Sequence, residues 1–222
     1  MRKEGSNYEF DFSYEISHLL HGGKLYKDWR NVYSHQSTQL GASIVFGSLL
    51  DLPSDEQMQF SKVALVHDWR KRLDIKPDDF SYEEKDNAER EIAWINPDQS
   101  LMTATGVQFI IDVAQGMKPT VLQMAQFYVD EICKGSEIVS VDDRIDEVSA
   151  RRQDLNQDVE LRKQLNGRAY WDVERSIAHD IEVELWKIMV KNGYKDRIKK
   201  PSEISTFIRN KLPKHRFHFV NK

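Results

Sequence analysis

The sequence predicts an all-α protein. Three observations carry that expectation: runs of strict apolar–polar alternation are scarce, apolar residues recur at helical spacing in successive segments, and Gly, Pro and helix-capping residues fall between those segments. Gly22-Gly23 breaks the chain after a turn or short helix over 14–21. A helix then runs from about Ser34 to Leu50, with Leu40, Ile44, Phe46, Leu49 and Leu50 as its apolar faces, and Leu52-Pro53 stops it. Ser54-Asp55-Glu56-Gln57 reads as a capping box opening a helix that ends near Asp68, and Ser81-Tyr82-Glu83-Glu84 reads as a second, opening a charged and largely exposed helix up to Trp94. Asn96-Pro97 and Gly106 punctuate the chain before a short helix over 107–115. Pro119 suits the first position of the next helix, because its missing amide is lost there anyway, and Gly135 suits its left-handed close. Val121, Met124, Ala125, Tyr128, Val129 and Ile132 give that helix a buried stripe. Further helices are expected at 141–154, 170–191 and 201–212.

Bulk properties narrow the class. With 40% hydrophobic residues, including five Trp, eight Tyr and ten Phe, the 222-residue chain has enough apolar surface for a real core, which excludes disorder as its main state. The single cysteine, Cys133, excludes internal disulfides and a multi-Cys zinc site, and fits a reducing cytoplasm. The N-terminal MRKEGSNYEFDFSYEIS has no apolar signal core, and the most apolar stretch, 42–50, is too short to span a bilayer. A soluble cytoplasmic protein with no membrane partner is expected. The net charge of −4 is unevenly spread: residues 191–222 hold ten Lys or Arg against Asp196 and Glu203. Such a tail can steer nucleotides or nucleic acid, but a solvated surface complementing the acidic body is the favoured reading, since no nucleic-acid-binding motif accompanies it.

Of the seven histidines (18, 21, 35, 67, 179, 215 and 218), His67 stands out, being followed at once by Asp68 at the end of the apolar run Val63-Ala64-Leu65-Val66. Imidazole nitrogen and carboxylate oxygen are the ligand types expected for manganese, iron, nickel, cobalt or zinc. A second doublet, His179-Asp180, reads as a locally paired residue on a helix face. The order Ser34-His35-Gln36-Ser37, then Val66-His67-Asp68-Trp69-Arg70-Lys71, then Tyr128-Val129-Asp130-Glu131-Ile132-Cys133-Lys134-Gly135 resembles the HD-domain phosphohydrolase superfamily, whose pattern is a His, a His-Asp doublet and a distant Asp on helices around a metal. Arg144-Ile145-Asp146 is similar to family sequence as well. The likeness covers roughly residues 12 to 150; residues 151–222 match no ligand motif and are expected to form a helical extension.

The resemblance implies an HD-domain helical bundle holding one divalent ion through His35, His67, Asp68 and Asp130, with Asp112 as the main rival for the fourth position. No histidine lies between Asp68 and Asp130, where the family's two-metal branches carry extra ones, so a single ion is implied. Many members continue the doublet with Ile-Gly-Lys; here Trp69 and Arg70 replace the first two and Lys71 keeps the third. The implied activity is hydrolysis of a phosphate monoester or nucleotide-like phosphoester. In it Asp68 acts on the attacking water, and Lys71 and Arg30 neutralise phosphate charge. Trp29 and Tyr33 are candidates for stacking on a base. The alternatives are a catalytically silent nucleotide-binding module and a helical interaction protein with a nucleic-acid-binding tail. The broad apolar face over 170–191 suits packing on the domain or on a second subunit of a homo-oligomer.

Overall fold

In a computed structural model of the protein, residues 32–70 and 82–212 are described. Arg30, Lys71, Ser81, Trp29, His18, His21 and the end of the basic tail lie outside the described residues, as does the side chain of Tyr33. What is described is helical apart from one two-stranded ribbon. The helices are α1 (Val32–Leu50), α2 (Ser54–Val66), α3 (Tyr82–Ile95), α4 (Gln99–Met102), α5 (Val107–Ala114), α6 (Val121–Ile132), α7 (Val141–Arg151), α8 (Asp154–Gln157), α9 (Val159–Gln164), α10 (Tyr170–Met189) and α11 (Ile204–Lys211). None of the described helices is long and apolar enough to cross a membrane.

Helix α1 is the axis of the fold. From His35 to Ser43 every residue is buried, so this stretch of the helix has no solvent face, and its polar residues must find partners inside the protein. Gln36 donates to the Leu65 carbonyl of α2 at 2.8 Å, while Thr38 and Ser43 donate back to the carbonyls of Ser34 and Leu40. Asp51, at φ 55, turns the chain in a left-handed conformation that aspartate tolerates, and α2 returns against α1. The two helices come close because α1 carries Gly47 at the contact. A Cβ there would stand 1.7 Å from Gln57 Oε1.

That packing overturns the first expected capping box. Pro53 occupies the N-cap of α2 without a side-chain cap, and Ser54 is already helical. Gln57 is drawn into the interface instead, where its amide donates to the Ser43 carbonyl and to Ser61 Oγ, each at 3.2 Å. A true capping box opens α6: Gln123 N–H donates to Thr120 Oγ1 at 3.2 Å, and Thr120 N–H donates to Gln123 Oε1 at 2.9 Å. Pro119 therefore precedes the cap rather than starting the helix. Nor does Gly135 close α6, which ends at Ile132. Cys133 turns extended, and Gly135, at φ 57, forms the tip of a hairpin pairing Cys133 with Ile138 and Lys134 with Glu137. The helix expected over 141–154 stops at Arg151, the one over 170–191 stops at Met189 before a π-turn (Val190–Tyr194), and a 3-10 turn (Pro201–Glu203) leads into α11.

One buried cluster runs from Ala42 and Phe46 of α1 through Tyr128 and Ile132 of α6 to Ile181, Leu185 and Met189 of α10 and Ile208 of α11. Phe46 and Tyr128 stack with ring centroids 5.4 Å apart. Tyr128 donates its hydroxyl to buried Glu182 of α10 at 2.8 Å; burial and the Glu182 charge push the phenol well above its ordinary range. The apolar face of α10 is thus spent within the chain, with Trp171 anchored to the Arg152 carbonyl and Trp186 to the Ile198 carbonyl.

Candidate metal centre

Three elements meet at one end of α1. His35 and Gln39 lie one turn apart on α1, His67 and Asp68 stand in the turn that follows α2, and Asp130 lies near the C-terminal end of α6. The His67 N–H still closes onto the Val63 carbonyl at 2.9 Å, so the doublet sits on the last helical turn with its backbone fixed. Trp69 and Arg70 hold the turn from the other side. Trp69 is wholly buried and donates to Glu91 of α3 at 2.6 Å, and the Arg70 guanidinium forks onto both oxygens of Glu89 at 2.6 Å. That fork holds the Glu89 carboxyl below its ordinary range. Trp69 and Arg70 therefore tie the doublet to α3.

The side chains converge. His35 Nε2 lies 3.5 Å from Asp68 Oδ2 and 3.4 Å from Asp130 Oδ1; His67 Nε2 lies 3.3 Å from Asp68 Oδ1 and 3.3 Å from Asp130 Oδ1. One donor atom from each of His35, His67 and Asp68 can be chosen so that all three lie within 4.8 Å of one another. Asp130 is linked to that trio through the two imidazoles. These nitrogen–oxygen separations exceed good hydrogen bonds of about 2.7–3.2 Å. They match ligands of a shared ion, since atoms each about 2.1 Å from a cation stand about 3.0 Å apart at a right angle and about 3.4 Å apart at the tetrahedral angle. Donor set and spacing both fit a divalent first-row metal. The imidazoles are the inner pair, with side-chain exposures of 1% for His67 and 10% for His35, against 14% and 17% for Asp68 and Asp130, so the carboxylates form the rim toward solvent.

Gln39 was not singled out by the sequence, although its position four residues after His35 on the same helix was the available signal. Its amide nitrogen lies 2.6 Å from Asp130 Oδ1 and 3.0 Å from His35 Nε2. An amide N–H can only donate, so in this arrangement His35 Nε2 is an acceptor and the ring proton sits on Nδ1.

Behind Asp130 lies a group that the sequence reading also missed. Desolvation, then the charges of Glu174 and Asp130, push the Glu131 carboxyl well up. Glu174 of α10, 5% exposed, is pushed up to about 7, first by burial and then by the Asp130 charge, against the opposing pull of hydrogen bonds from Tyr170 and Glu131 and of the Arg144 charge. Arg144 is the countercharge of the group. The carboxylates of Asp130, Glu147 and Glu131 more than offset its desolvation, and it donates to Glu147 at 2.5 Å. Burial and the Asp130 charge also push the Cys133 thiol well up, which makes this free cysteine unreactive.

Asp112 stays on α5, where it accepts from Gln108 at 2.7 Å, and none of its described contacts joins the cluster. His179 pairs with Asp142 at 3.1 Å and stands 3.6 Å from Glu182, on the α7–α10 face. Compared with protein-family models, with curated proteins and with solved structures, the chain finds no match.

Proposed function

We propose that the chain is an HD-type metal-dependent phosphohydrolase in which His35, His67, Asp68 and Asp130 hold one divalent ion. The observation that carries the reading is the convergence of two imidazole Nε2 atoms and two carboxylates, from three separate elements, at spacings of 3.3 to 3.5 Å. The order of the three sequence segments supports the family likeness independently of that geometry.

A divalent ion supplies Lewis acidity: it makes hydroxide available near neutral pH and offsets charge developing on a phosphoryl group. The protein's own groups do the remaining work. Asp68 turns one oxygen to each imidazole and stands on the solvent rim, so it is the group that orients the attacking water and accepts its proton. Asp130 is backed by Arg144, whose guanidinium is the countercharge to it, Glu131 and Glu147. The salt fork of Arg70 and the indole of Trp69 fix the doublet so that little reorganisation accompanies the reaction. Lys71 and Arg30 are assigned to the substrate phosphate by their sequence positions. The substrate class is a phosphate monoester or a nucleotide-like phosphoester.

The test is direct. Protein loaded with Mn²⁺ is expected to hold the metal stoichiometrically by elemental analysis and to release phosphate from members of a nucleotide panel, with His67→Ala losing the metal and Asp68→Ala losing turnover. Metal content unchanged in both His67→Ala and Asp130→Ala would remove the centre. Stoichiometric metal and nucleotide binding with no phosphate release would leave the silent binding module.

A further inference from the structure

Gln39 is wholly buried, and the two contacts of its amide nitrogen are two atoms assigned to the ion, Asp130 Oδ1 and His35 Nε2. Its amide oxygen is buried with no hydrogen-bond partner among the described residues. A buried unsatisfied carbonyl is costly, and a glutamine ordinarily turns or moves to avoid it. Here the alternative orientation is worse in the absence of a cation, because it would set an amide oxygen against the Asp130 carboxylate. The His35 nitrogen adds a second constraint. Its single lone pair can accept from Gln39 or bind a metal, but not both. Loading the centre therefore requires the Gln39 N–H to leave.

The geometry points to Gln39 as a fifth metal ligand, through Oε1. This inference rests on the metal centre proposed above and adds a ligand that the His, His-Asp, Asp pattern does not contain. A half-turn of the terminal amide exchanges its two heavy atoms, so the oxygen comes to stand where the nitrogen now stands. The 3.0 Å separation from His35 Nε2 is already the edge expected for two ligands at a right angle, with bonds of about 2.1 Å. The 2.6 Å separation from Asp130 is shorter than that edge and opens by a few tenths of an ångström. Once a cation faces the amide, the dipole that was unfavourable becomes favourable, and the orphaned oxygen acquires its partner. Five protein ligands exceed the four positions of tetrahedral zinc, so a ligating Gln39 shifts the preference toward manganese, iron or nickel, with the imidazole–carboxylate spacings of 3.3 to 3.5 Å closing toward the right-angle edge.

Two variants of the full-length protein separate this role from that of a hydrogen-bond donor that merely positions Asp130. Gln39→Leu removes both, and Mn²⁺ affinity measured by calorimetry is expected to fall about 10- to 100-fold. Gln39→Glu keeps an oxygen ligand but removes the donor. If Gln39 is a ligand, Gln39→Glu binds Mn²⁺ at least as tightly as the wild type; if it is only a positioning donor, the added carboxylate facing Asp130 weakens binding as leucine does. Water-proton relaxation of bound Mn²⁺ gives a second readout, with one more inner-sphere water expected in Gln39→Leu than in the wild type. Far-UV circular dichroism establishes that each variant is folded, and the Glu variant decides the question even if the Leu variant is not. Weakened binding in Gln39→Glu, or an unchanged water count in a folded Gln39→Leu, overturns the fifth ligand while leaving the centre intact. Failure of the wild type to bind Mn²⁺, Ni²⁺ or Fe²⁺ at all overturns both.

Discussion

Glu174 makes the stability of the metal-free protein depend on pH in an unusual direction. Its carboxyl is pushed from an ordinary 4.5 to about 7, chiefly by burial on α10 and then by the Asp130 charge. Because the folded value is the higher one, the folded state binds the proton more tightly. The resulting contribution is complete below the unfolded value of 4.5 and is lost as pH rises through about 7. The difference between those values corresponds to about 3 kcal/mol, a sizeable share of the 5–15 kcal/mol that holds a typical domain together. Paired carboxylates act in the opposite sense, adding stability as pH rises toward the unfolded carboxylate range. Glu89, Asp98 and Asp142 are such lowered groups here, but their titration falls below the unfolded carboxylate range, outside the Glu174 window. Urea unfolding in the presence of a chelator, at about pH 5 and about pH 8.5, measures the effect. Glu174→Gln keeps the shape and removes the charge. It should stand within about 1 kcal/mol of the wild type at the lower pH and exceed it by about 3 kcal/mol at the higher. Equal stabilities of the two proteins at about pH 8.5, with unchanged denaturant dependence, would refute the reasoning.

Two further outcomes follow from the packing. Gly47→Ala should gain nothing in the wild-type background, because the new Cβ evicts the Gln57 amide from Ser43 and Ser61; in a Gln57→Ala background it should stabilise by about 1 kcal/mol, the ordinary gain of alanine over glycine in a helix. A double-mutant cycle by chemical denaturation reads that change, and additive single effects would contradict it. Thr120→Ala should cost about 1 kcal/mol through loss of the capping box on α6, whereas Ser54→Ala, which removes no cap, should cost less than half of that.

Much of the architecture is legible in the chain because helices announce themselves locally. The stripe on α6, the apolar faces of α1 and α10, and the breaks at Pro53, Asn96 and Gly106 depend on residues within a turn or two of each other, and the structure follows them closely. The errors arise where a local signal competes with a tertiary one. Ser54 and Gln57 have the spacing of a cap, but Gln57 gains more by filling the notch at Gly47, and no local pattern records a notch on another helix. Gly135 has the chemistry to end a helix, but the chain ends α6 three residues earlier and uses that glycine for a hairpin.

The candidate site divides in the same way. The sequence by itself determined the all-helical class and put His35, the His67-Asp68 doublet and Asp130 forward, because a motif is an ordered set of residue types and order is what a sequence preserves. Only the tertiary structure decided that each imidazole stands 3.3 to 3.5 Å from both carboxylates, that Gln39 joins them, and that Glu131, Glu174 and Arg144 form a largely buried group behind Asp130. Residues 35 and 130, or 131 and 174, meet only when helices far apart in the chain are packed side by side. Burial, which sets the strength of every charge in that group, is a property of the packed molecule and of no single segment.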